Sequence, residues 1–244
     1  MIVLTSWDDG HPLDMRLGEL LCKHGLVGTF FVPITNRENK PVMDTAQLRQ
    51  LNKAHEIGSH TLTHQYLLDC PSLTAKQEIN EGKQRLEEKL GHHIHGFCYP
   101  GGWFNTEISQ LVKAAGFSYA RTIENLCIDT GINPWHMPTT IQFYPHDTLT
   151  LAKNALRHWS LPKLPFVLKR LTNNCFYTFA RQMAEQCAEV NGVFHLWGHS
   201  WEIEEHNLWA ELDRFLCYLA TMSTHSYTLE EILSVSFPIS RSTH

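Results

Sequence analysis

Short apolar runs rich in β-branched and aromatic residues alternate with amphipathic helical patterns along this 244-residue chain. The apolar runs predict seven strands, at residues 2–6, 28–32, 56–60, 96–99, 117–122, 139–144 and 193–197. The helical patterns predict helices at residues 15–24, 45–54, 73–90, 106–115, 148–159, 175–190 and 208–222. Regular alternation over the whole length is typical of a parallel α/β barrel or an open parallel sheet. We interpret the interruption at Pro162-Lys163-Leu164-Pro165 as an excursion rather than a domain boundary.

Polar residues follow several of the predicted strands at their carboxyl ends. These positions are Asp8-Asp9, His60, Tyr99-Pro100, Arg121 and His199. In a parallel barrel the carboxyl ends of the strands converge on one face, where barrel active sites lie. The pattern therefore predicts one shared site.

Two of these groups have the chemistry of a metal site. His60 and His64 are four residues apart and would share one face if the turn between them were helical. The histidine pair alone has an ordinary explanation, because His-x₃-His is often a surface pair. The pair Asp8-Asp9 has one too, because two acidic residues before a glycine are common in turns. Together, on one rim, they offer three ligands for one divalent metal and a spare carboxylate beside it.

At these residues the chain resembles the polysaccharide deacetylases of the NodB-homology type, carbohydrate esterase family 4. Ser6-Trp7-Asp8-Asp9-Gly10 matches the family's first motif, and His60-Thr61-Leu62-Thr63-His64 matches its second. The resemblance implies that Asp8 is the general base and that Asp9, His60 and His64 bind the metal. It also implies a distorted (β/α) barrel of seven strands, in which residues 1–244 form a single catalytic domain. The His₂Asp ligand set favours zinc among the divalent metals.

The third motif of the family, Arg-x-Pro-Tyr, appears here as Cys98-Tyr99-Pro100-Gly101, without the arginine and the tyrosine. The backbone N–H of Gly101 could still serve as an oxyanion-hole donor, because such a donor needs no particular side chain. For the missing arginine we name Arg121, on the next predicted strand, as the partner of Asp8. The alternative is that Arg121 is a surface or structural ion-pair residue.

The last motif of the family supplies a histidine as general acid. Two histidines are candidates here, and His199 is preferred because it lies at the end of the predicted strand, whereas His195 lies deeper in it. Tyr99, Trp103 and Trp197 are predicted as apolar contacts for a sugar ring, although each could belong to the core instead. The sequence leaves open whether Glu202 binds substrate or pairs with Arg121.

Composition narrows the possible partners and the location. The net charge of −5 and the lack of any Lys/Arg run argue against a nucleic-acid partner, and no stretch is long and apolar enough to span a membrane. The seven cysteines are scattered and form no Cys-x-x-Cys motif, which favours reduced thiols. Because the apolar run at residues 1–7 is short and leads into Asp8-Asp9, we expect an unexported, cytoplasmic protein.

The sequence therefore predicts a metal-dependent hydrolase that removes an N-acetyl group from an amino sugar or sugar conjugate, with an intracellular glycan precursor as its substrate. Deformylases and cyclic-amide hydrolases share the resemblance, and the oligomeric state is left open. A first alternative is an α/β-type serine hydrolase, because Gly198-His199-Ser200-Trp201-Glu202 partly resembles a nucleophile elbow around Ser200. A second is a non-catalytic carbohydrate-binding protein with a structural metal, although such a site has no need of the spare carboxylate of Asp8.

Overall fold

A curled sheet of parallel strands forms the centre of the computed structural model, which describes residues 1–131, 133–145 and 175–236. Seven strands lie in the order β5-β4-β3-β2-β1-β7-β6, and they correspond one to one to the seven predicted from the sequence. Their bounds are β1 Ile2–Trp7, β2 Thr29–Val32, β3 Glu56–Ser59, β4 Gly96–Cys98, β5 Tyr119–Arg121, β6 Ile141–Gln142 and β7 Val193–Gly198. The predicted distorted (β/α) barrel is therefore confirmed.

The segment that leads into β6 joins the two ends of the sheet, β5 at one end and β7 near the other. Met137 N–H donates to the carbonyl of Ala120, and Thr122 N–H donates to the carbonyl of Met137, both at 2.9 Å. Three residues further on, Thr140 N–H donates to the carbonyl of His195 at 2.9 Å. Because the same segment bonds to β5 and then to β7, the sheet curls round on itself.

A further strand, β8 (His225–Tyr227), was not predicted. It pairs in parallel with the first half of β1, from Ile2 to Leu4, whereas β2 pairs with β1 only at Ser6 and Trp7. The side chains of β8 are half-buried or exposed, so the strand lacks the apolar run by which the others were found.

Eight helices of the described segments connect and cover these strands. They are α1 Asp14–Lys23, α2 Thr45–Leu51, α3 Ser72–Leu90, α4 Thr106–Ala114, α5 Phe176–Glu189, α6 Ser200–Glu205, α7 Trp209–Met222 and α8 Leu229–Ser236. Asp44 forms a capping box with Gln47 at the start of α2, and Gly91 ends α3 in the left-handed conformation at φ 83°. The short helices α6 and α8 were not predicted. The helix predicted at 148–159 and the Pro162–Pro165 interruption lie outside the described residues.

Alternation along each strand separates a small inner cluster of buried residues from a large outer one. On β1, Val3 and Trp7 pack against the helices, whereas Leu4 packs inside the barrel. Ser6 also points inward, where its Oγ lies 2.8 Å from Nε2 of His195. With a period of two, Asp8 occupies the next inward position, at the carboxyl end of the strand. None of the helices in the described segments combines the length and apolarity needed to cross a bilayer.

Candidate active site

Asp9, His60 and His64 form a buried cluster at the carboxyl ends of β1 and β3. Oδ1 of Asp9 lies 3.2 Å from Nε2 of His64 and 3.8 Å from Nε2 of His60. This Oδ1 atom is buried and has no hydrogen-bond partner in the part of the chain that the structure describes. A buried carboxylate oxygen without a donor, facing two imidazole nitrogens, fits a divalent cation of the zinc class. The three residues therefore suit the metal that the sequence predicted.

The backbone around these ligands is left-handed. Asp9 has φ 75°, Thr61 has φ 71° and His64 has φ 61°. The turn between the two histidines is not helical, but the histidine rings still meet, with centroids 4.9 Å apart, through a backbone that is left-handed at Thr61 and His64. Such conformations cost on the order of 1–3 kcal/mol each and concentrate at functional sites.

Hydrogen bonds orient two of the three ligands. His60 Nδ1–H donates to the carbonyl of Cys98 at 2.8 Å, which leaves Nε2 unprotonated and directed at Asp9. Burial is the largest influence on His60 and lowers its pKa to about 4, so the ring is neutral at pH 7. Trp201 Nε1–H donates to Oδ2 of Asp9 at 2.9 Å. Burial opposes the charge of Asp9, but the nearby histidines, His199 first among them, outweigh burial and lower the pKa of Asp9 to about 2.

The spare carboxylate, Asp8, contacts the guanidinium of Arg121. Nη2 of Arg121 donates to Oδ1 of Asp8, and the arginine is fully buried. Its guanidinium lies 4.9 Å from the ring centroid of Trp197 and 5.3 Å from that of Phe31, inside the barrel. Burial alone lowers the pKa of Arg121, but the charge of Asp8 outweighs burial and leaves it raised. The contact expected between these two residues is therefore present.

The glycines after β4 form a tight turn at the same rim. Gly101 and Gly102 have φ values of 62° and 68°, and a Cβ atom on Gly102 would lie 2.1 Å from Cγ1 of Ile123. Gly102 N–H donates to the carbonyl of Tyr99 at 2.8 Å. The position of Gly101 suits an oxyanion donor, and that role stays a prediction.

His199 faces the site from the end of β7. Its Nδ1 lies 2.7 Å from Oε2 of Glu202, and that carboxylate also accepts from Nε2 of Gln142 at 3.0 Å. Burial alone lowers the pKa of His199, but the hydrogen bond to Glu202 and the charge of Asp9 raise it to about 9. His199 is therefore protonated at pH 7, and Glu202 pairs with it rather than with Arg121.

Neighbouring groups hold the ring of His195, the other candidate acid, in place. Both ring nitrogens are engaged, Nε2 with Ser6 Oγ at 2.8 Å and Nδ1 with the carbonyl of Pro138 at 2.9 Å. Burial is the main reason that the pKa of His195 is lowered to about 3. A neutral ring held on both sides has no proton to give to a substrate.

A pocket of about 260 Å³ opens over these groups. Besides Asp8, Asp9, His60, His64, Gly101, Trp197 and His199, it is lined by Glu38, Lys40, Tyr66, Ile123 and Trp201. The sequence analysis missed these last five as site residues. Lys40 Nζ lies 2.9 Å from Glu38 Oε2 and 3.6 Å from the ring centroid of Trp201. The available signal was their position in loops that follow predicted strands, because such loops meet at one rim.

The predicted sugar contacts divide into three cases. Tyr99 is a correction: its side chain is fully buried on the outer side of the sheet, where it stacks on Phe104 at 4.6 Å. Neighbouring residues of a strand face opposite ways, so Cys98 points to the site and Tyr99 points away. Trp103 is half exposed beside the Gly101 turn but does not line the pocket. Trp197 does line it.

The serine-hydrolase alternative is wrong. Ser200 is fully buried at the start of α6, and among the described residues no histidine is hydrogen-bonded to its Oγ. A nucleophile elbow requires an exposed serine hydroxyl bonded to a histidine. The histidine beside it, His199, is directed at Glu202 instead.

Comparison with known proteins gives the family. The model of the polysaccharide deacetylase family matches residues 1–120, which include all three cluster ligands. The first 120 residues of this chain therefore resemble that family. Among curated proteins, it is 26% identical over 118 residues to a peptidoglycan-N-acetylglucosamine deacetylase of Bacillus cereus. That match covers 48% of this chain and 54% of the relative, so the chain spans about half the length of the curated relative it matches.

Two solved structures, of a deacetylase and of an esterase, share the fold of this chain over nearly its whole length. A candidate polysaccharide deacetylase from Mycobacterium smegmatis superposes with a TM-score of 0.67 at 17% identity, over 96% of this chain and 89% of its own. A family 4 acetyl xylan esterase from Clostridium thermocellum, solved with a cobalt ion, superposes with a TM-score of 0.57 at 17% identity. That match covers 96% of this chain and 91% of the esterase. At these identities the likeness shows the fold alone.

Proposed function

We propose that this chain is a polysaccharide deacetylase, a metal-dependent hydrolase that removes an N-acetyl group from an amino-sugar substrate. The observation that carries the proposal is the placement of the Asp9–His60–His64 cluster beside an Asp8 carboxylate held by Arg121, both open to one pocket. A closed structural metal site would need no such second carboxylate. The family model and the curated relative, itself a deacetylase, support the same reaction class.

Asp9, His60 and His64 are the residues that would hold the cation, and zinc is the first candidate because the ligand set is two imidazoles and one carboxylate. When bound, a divalent cation of this kind supplies Lewis-acid polarisation of the acyl carbonyl and lowers the pKa of water. Because the acetyl xylan esterase of Clostridium thermocellum was solved with a cobalt ion, Co²⁺ is a useful second probe.

The remaining steps belong to side chains around the pocket. Asp8 accepts the proton of the attacking water, and the contact with Arg121 fixes the direction of its carboxylate. The Gly101 N–H donates to the oxygen on which negative charge develops. His199, protonated at neutral pH, gives its proton to the departing nitrogen, so that acetate and a free amine leave.

The apolar wall of the pocket supports a sugar as the group that carries the amide. Trp197, Trp201 and Ile123 are among the residues that line it, and indole faces are common contacts for sugar rings. For the finer identity of the substrate we keep the proposal made from the sequence, an N-acetylated glycan precursor inside the cell. A cytoplasmic location stays a prediction.

The test combines metal binding with acetate release. Purified protein is dialysed against chelator, reloaded with Zn²⁺ or Co²⁺, and assayed on N-acetylated monosaccharides, oligosaccharides and nucleotide-linked amino sugars. The adjacent carboxylates give a matched pair of variants. Asp8→Asn should keep the metal and lose about 10²- to 10⁴-fold in turnover, because only the base is removed. Asp9→Asn and His60→Ala should lose both metal and activity.

Two results would reject parts of this proposal. Full activity in Asp8→Asn would remove the base assignment. A wild-type protein that binds Zn²⁺ and sugar but releases no acetate from any substrate would instead favour the non-catalytic carbohydrate-binding alternative.

A further inference from the structure

The turn that carries the metal-binding histidines rests directly on helix α3. The buried carboxylate of Glu78 accepts two hydrogen bonds from Thr63, from its backbone N–H and from its hydroxyl, both at 2.8 Å. The backbone carbonyl of Glu78 accepts from Leu62 N–H at 3.0 Å. One residue of α3 therefore binds two consecutive residues of the turn that lies between His60 and His64.

A glycine on the same face of α3 allows this close approach. A Cβ atom on Gly82 would lie 2.6 Å from the carbonyl carbon of Thr61 and 2.8 Å from the nitrogen of Leu62. Real Cβ atoms do not approach backbone so closely, and so the helix can lie against the turn only with glycine at this position. The residues Glu78 and Gly82 are four apart and occupy one face of the helix.

The opposite side of the turn is bonded to the segment that follows β2. Ile34 N–H and Thr35 N–H donate to the carbonyl of Leu62 at 3.0 and 2.9 Å, and Arg37 N–H donates to that of Thr63 at 3.0 Å. These carbonyls point away from α3, whereas Thr63 presents its N–H and hydroxyl to Glu78. The turn is thus held from both sides, and among these hydrogen bonds the charged acceptor is Glu78.

This turn needs such support because its backbone is strained. Thr61 and His64 have φ values of 71° and 61°, and the left-handed region is rare for a β-branched residue such as threonine. Conformations of this kind persist only where the surroundings determine them. His64 follows Thr63 directly, so any relaxation of the turn moves the imidazole away from Oδ1 of Asp9, now 3.2 Å from it.

We infer that Glu78 is a positioning residue for the metal centre. Its carboxylate holds Thr63, and through Thr63 the left-handed turn, in the geometry that directs His64 at Asp9. This inference rests on the proposed function, since it takes His64 to be a metal ligand. Glu78 does not touch the metal or the substrate. Its effect is on the arrangement of the ligands before the metal binds, and therefore on the affinity for the cation.

The experiment measures Zn²⁺ affinity and stability separately in the full chain. Affinity is measured by competition with a chromophoric chelator, and the stability of the metal-free protein is measured by urea unfolding in chelator. The variants are Glu78→Gln, Thr63→Val, which keeps the shape but removes the hydroxyl, and Thr63→Ser, which keeps the hydroxyl. Glu88→Gln is the matched control, because Glu88 is an exposed glutamate of the same helix.

Glu78→Gln should weaken Zn²⁺ binding about 10- to 100-fold, the usual range for partners that orient metal ligands. Thr63→Val should weaken it in the same direction, and Thr63→Ser and Glu88→Gln should match the wild type. The double variant Glu78→Gln/Thr63→Val should lose less affinity than the sum of the single losses, because both changes weaken the same contact between residue 78 and the Thr63 side chain.

The inference is overturned if Glu78→Gln and Thr63→Val bind Zn²⁺ as tightly as the wild type, even if both unfold at lower urea. That result would assign Glu78 a structural role alone. If Glu78→Gln does not fold, unchanged affinity in Thr63→Val overturns the inference by itself. A wild-type protein that binds neither Zn²⁺ nor Co²⁺ would be a different failure, because it would remove the proposed metal site as well.

Discussion

The guanidinium of Arg121 reaches the carboxylate of Asp8 across the interior of the barrel, over a sequence separation of 113 residues. Asp8 follows β1, and Arg121 ends β5, four positions away in the order of the sheet. The two meet because the sheet curls and both residues occupy inward positions. The family motif has an arginine at the position of Cys98, the last residue of β4, and here the inward face of the neighbouring strand β5 supplies the charge instead.

Replacement of Arg121 by lysine tests this ion pair. Lysine keeps a positive charge but lacks the planar fork of a guanidinium, so Asp8 loses its fixed direction. We expect Arg121→Lys to fold, to bind Zn²⁺ like the wild type, and to lose about 10²-fold in kcat. Arg121→Ala leaves a buried carboxylate without its partner and should lower the free energy of unfolding by about 3–5 kcal/mol.

Steady-state acetate release and urea unfolding measure these effects, and Arg85→Lys, at an exposed position of α3, serves as the control. Wild-type kcat in Arg121→Lys would show that the direction of Asp8 does not depend on the guanidinium.

Trp201 should strengthen metal binding through its indole N–H. This group donates to Oδ2 of Asp9 at 2.9 Å and so holds the carboxylate with Oδ1 toward the histidines. Trp201→Phe keeps the aromatic surface and removes the donor, and it should weaken Zn²⁺ affinity by about 10-fold. Trp209→Phe is a close control, because the Trp209 N–H donates to the exposed carboxylate of Glu204 and neither of these two residues lines the pocket. Equal affinities in the two variants would contradict the prediction.

The pH dependence of turnover should depend on Glu202. Burial alone lowers the pKa of His199, but the Glu202 hydrogen bond and the charge of Asp9 raise it to about 9. A general acid must carry its proton, so activity is present below this pKa and is lost as the pH rises through it. In Glu202→Gln the charge is gone, and the alkaline limb of the kcat profile should move to lower pH by about 1–2 units.

The profile is measured from pH 6 to pH 10.5 for the wild type, Glu202→Gln and the exposed-site control Glu205→Gln. An alkaline limb that stays in place in Glu202→Gln would exclude His199 as the acid.

Glu56 lies at the end of the barrel opposite the site. It should make the free energy of unfolding depend on pH. Its carboxyl group accepts hydrogen bonds from Tyr119 Oη at 2.6 Å, Thr29 Oγ1 at 2.7 Å and Glu230 N–H at 3.0 Å. Burial nevertheless raises the pKa of Glu56 to about 7. The folded chain therefore holds a proton that the unfolded chain releases near pH 4.5, and the free energy of unfolding falls as the pH rises from about 4.5 to about 7.

We expect this residue to account for about 3 kcal/mol of that fall, since the pKa is about 7 in the folded chain against 4.5 in the unfolded one and one pKa unit corresponds to about 1.4 kcal/mol. Glu56→Gln cannot ionise, so its stability relative to the wild type should improve between pH 5 and pH 8. Urea unfolding at both pH values measures the change, with Glu107→Gln at an exposed site as the control. A constant difference between wild type and Glu56→Gln would show that the carboxyl ionises alike in both states.

Much of the fold was predictable because its signals are local. The seven strands appear as apolar runs, and Asp44, Gly91 and Asn105 mark helix ends through hydrogen bonds or φ values that involve only neighbouring residues. The strand β8 and the helix α6 escaped prediction for the converse reason. β8 is held by its pairing with β1, about 220 residues away, and its own side chains carry little apolar signal.

The site shows the same division. Asp8, Asp9, His60 and His64 were singled out because two pairs of ligand-type residues each follow a strand, and the structure brings Asp9, His60 and His64 together. Tyr99 was predicted to face the substrate, but side chains alternate along a strand, and this alternation puts Tyr99 on the outer face. Glu78 is one of many charged positions of an amphipathic helix, and nothing in that pattern distinguishes it from the exposed glutamates of α3.

By itself, then, the sequence determined the alternation of strands and helices, the ligand types and their position at strand ends, since each depends on residues near one another in the chain. Only the tertiary structure decided that Arg121 meets Asp8, that His199 rather than His195 faces the pocket, and that Glu78 holds the turn between His60 and His64. These relationships depend on the curl of the sheet and on the directions in which side chains leave it. Such directions arise from pairing between distant segments, which no local pattern encodes.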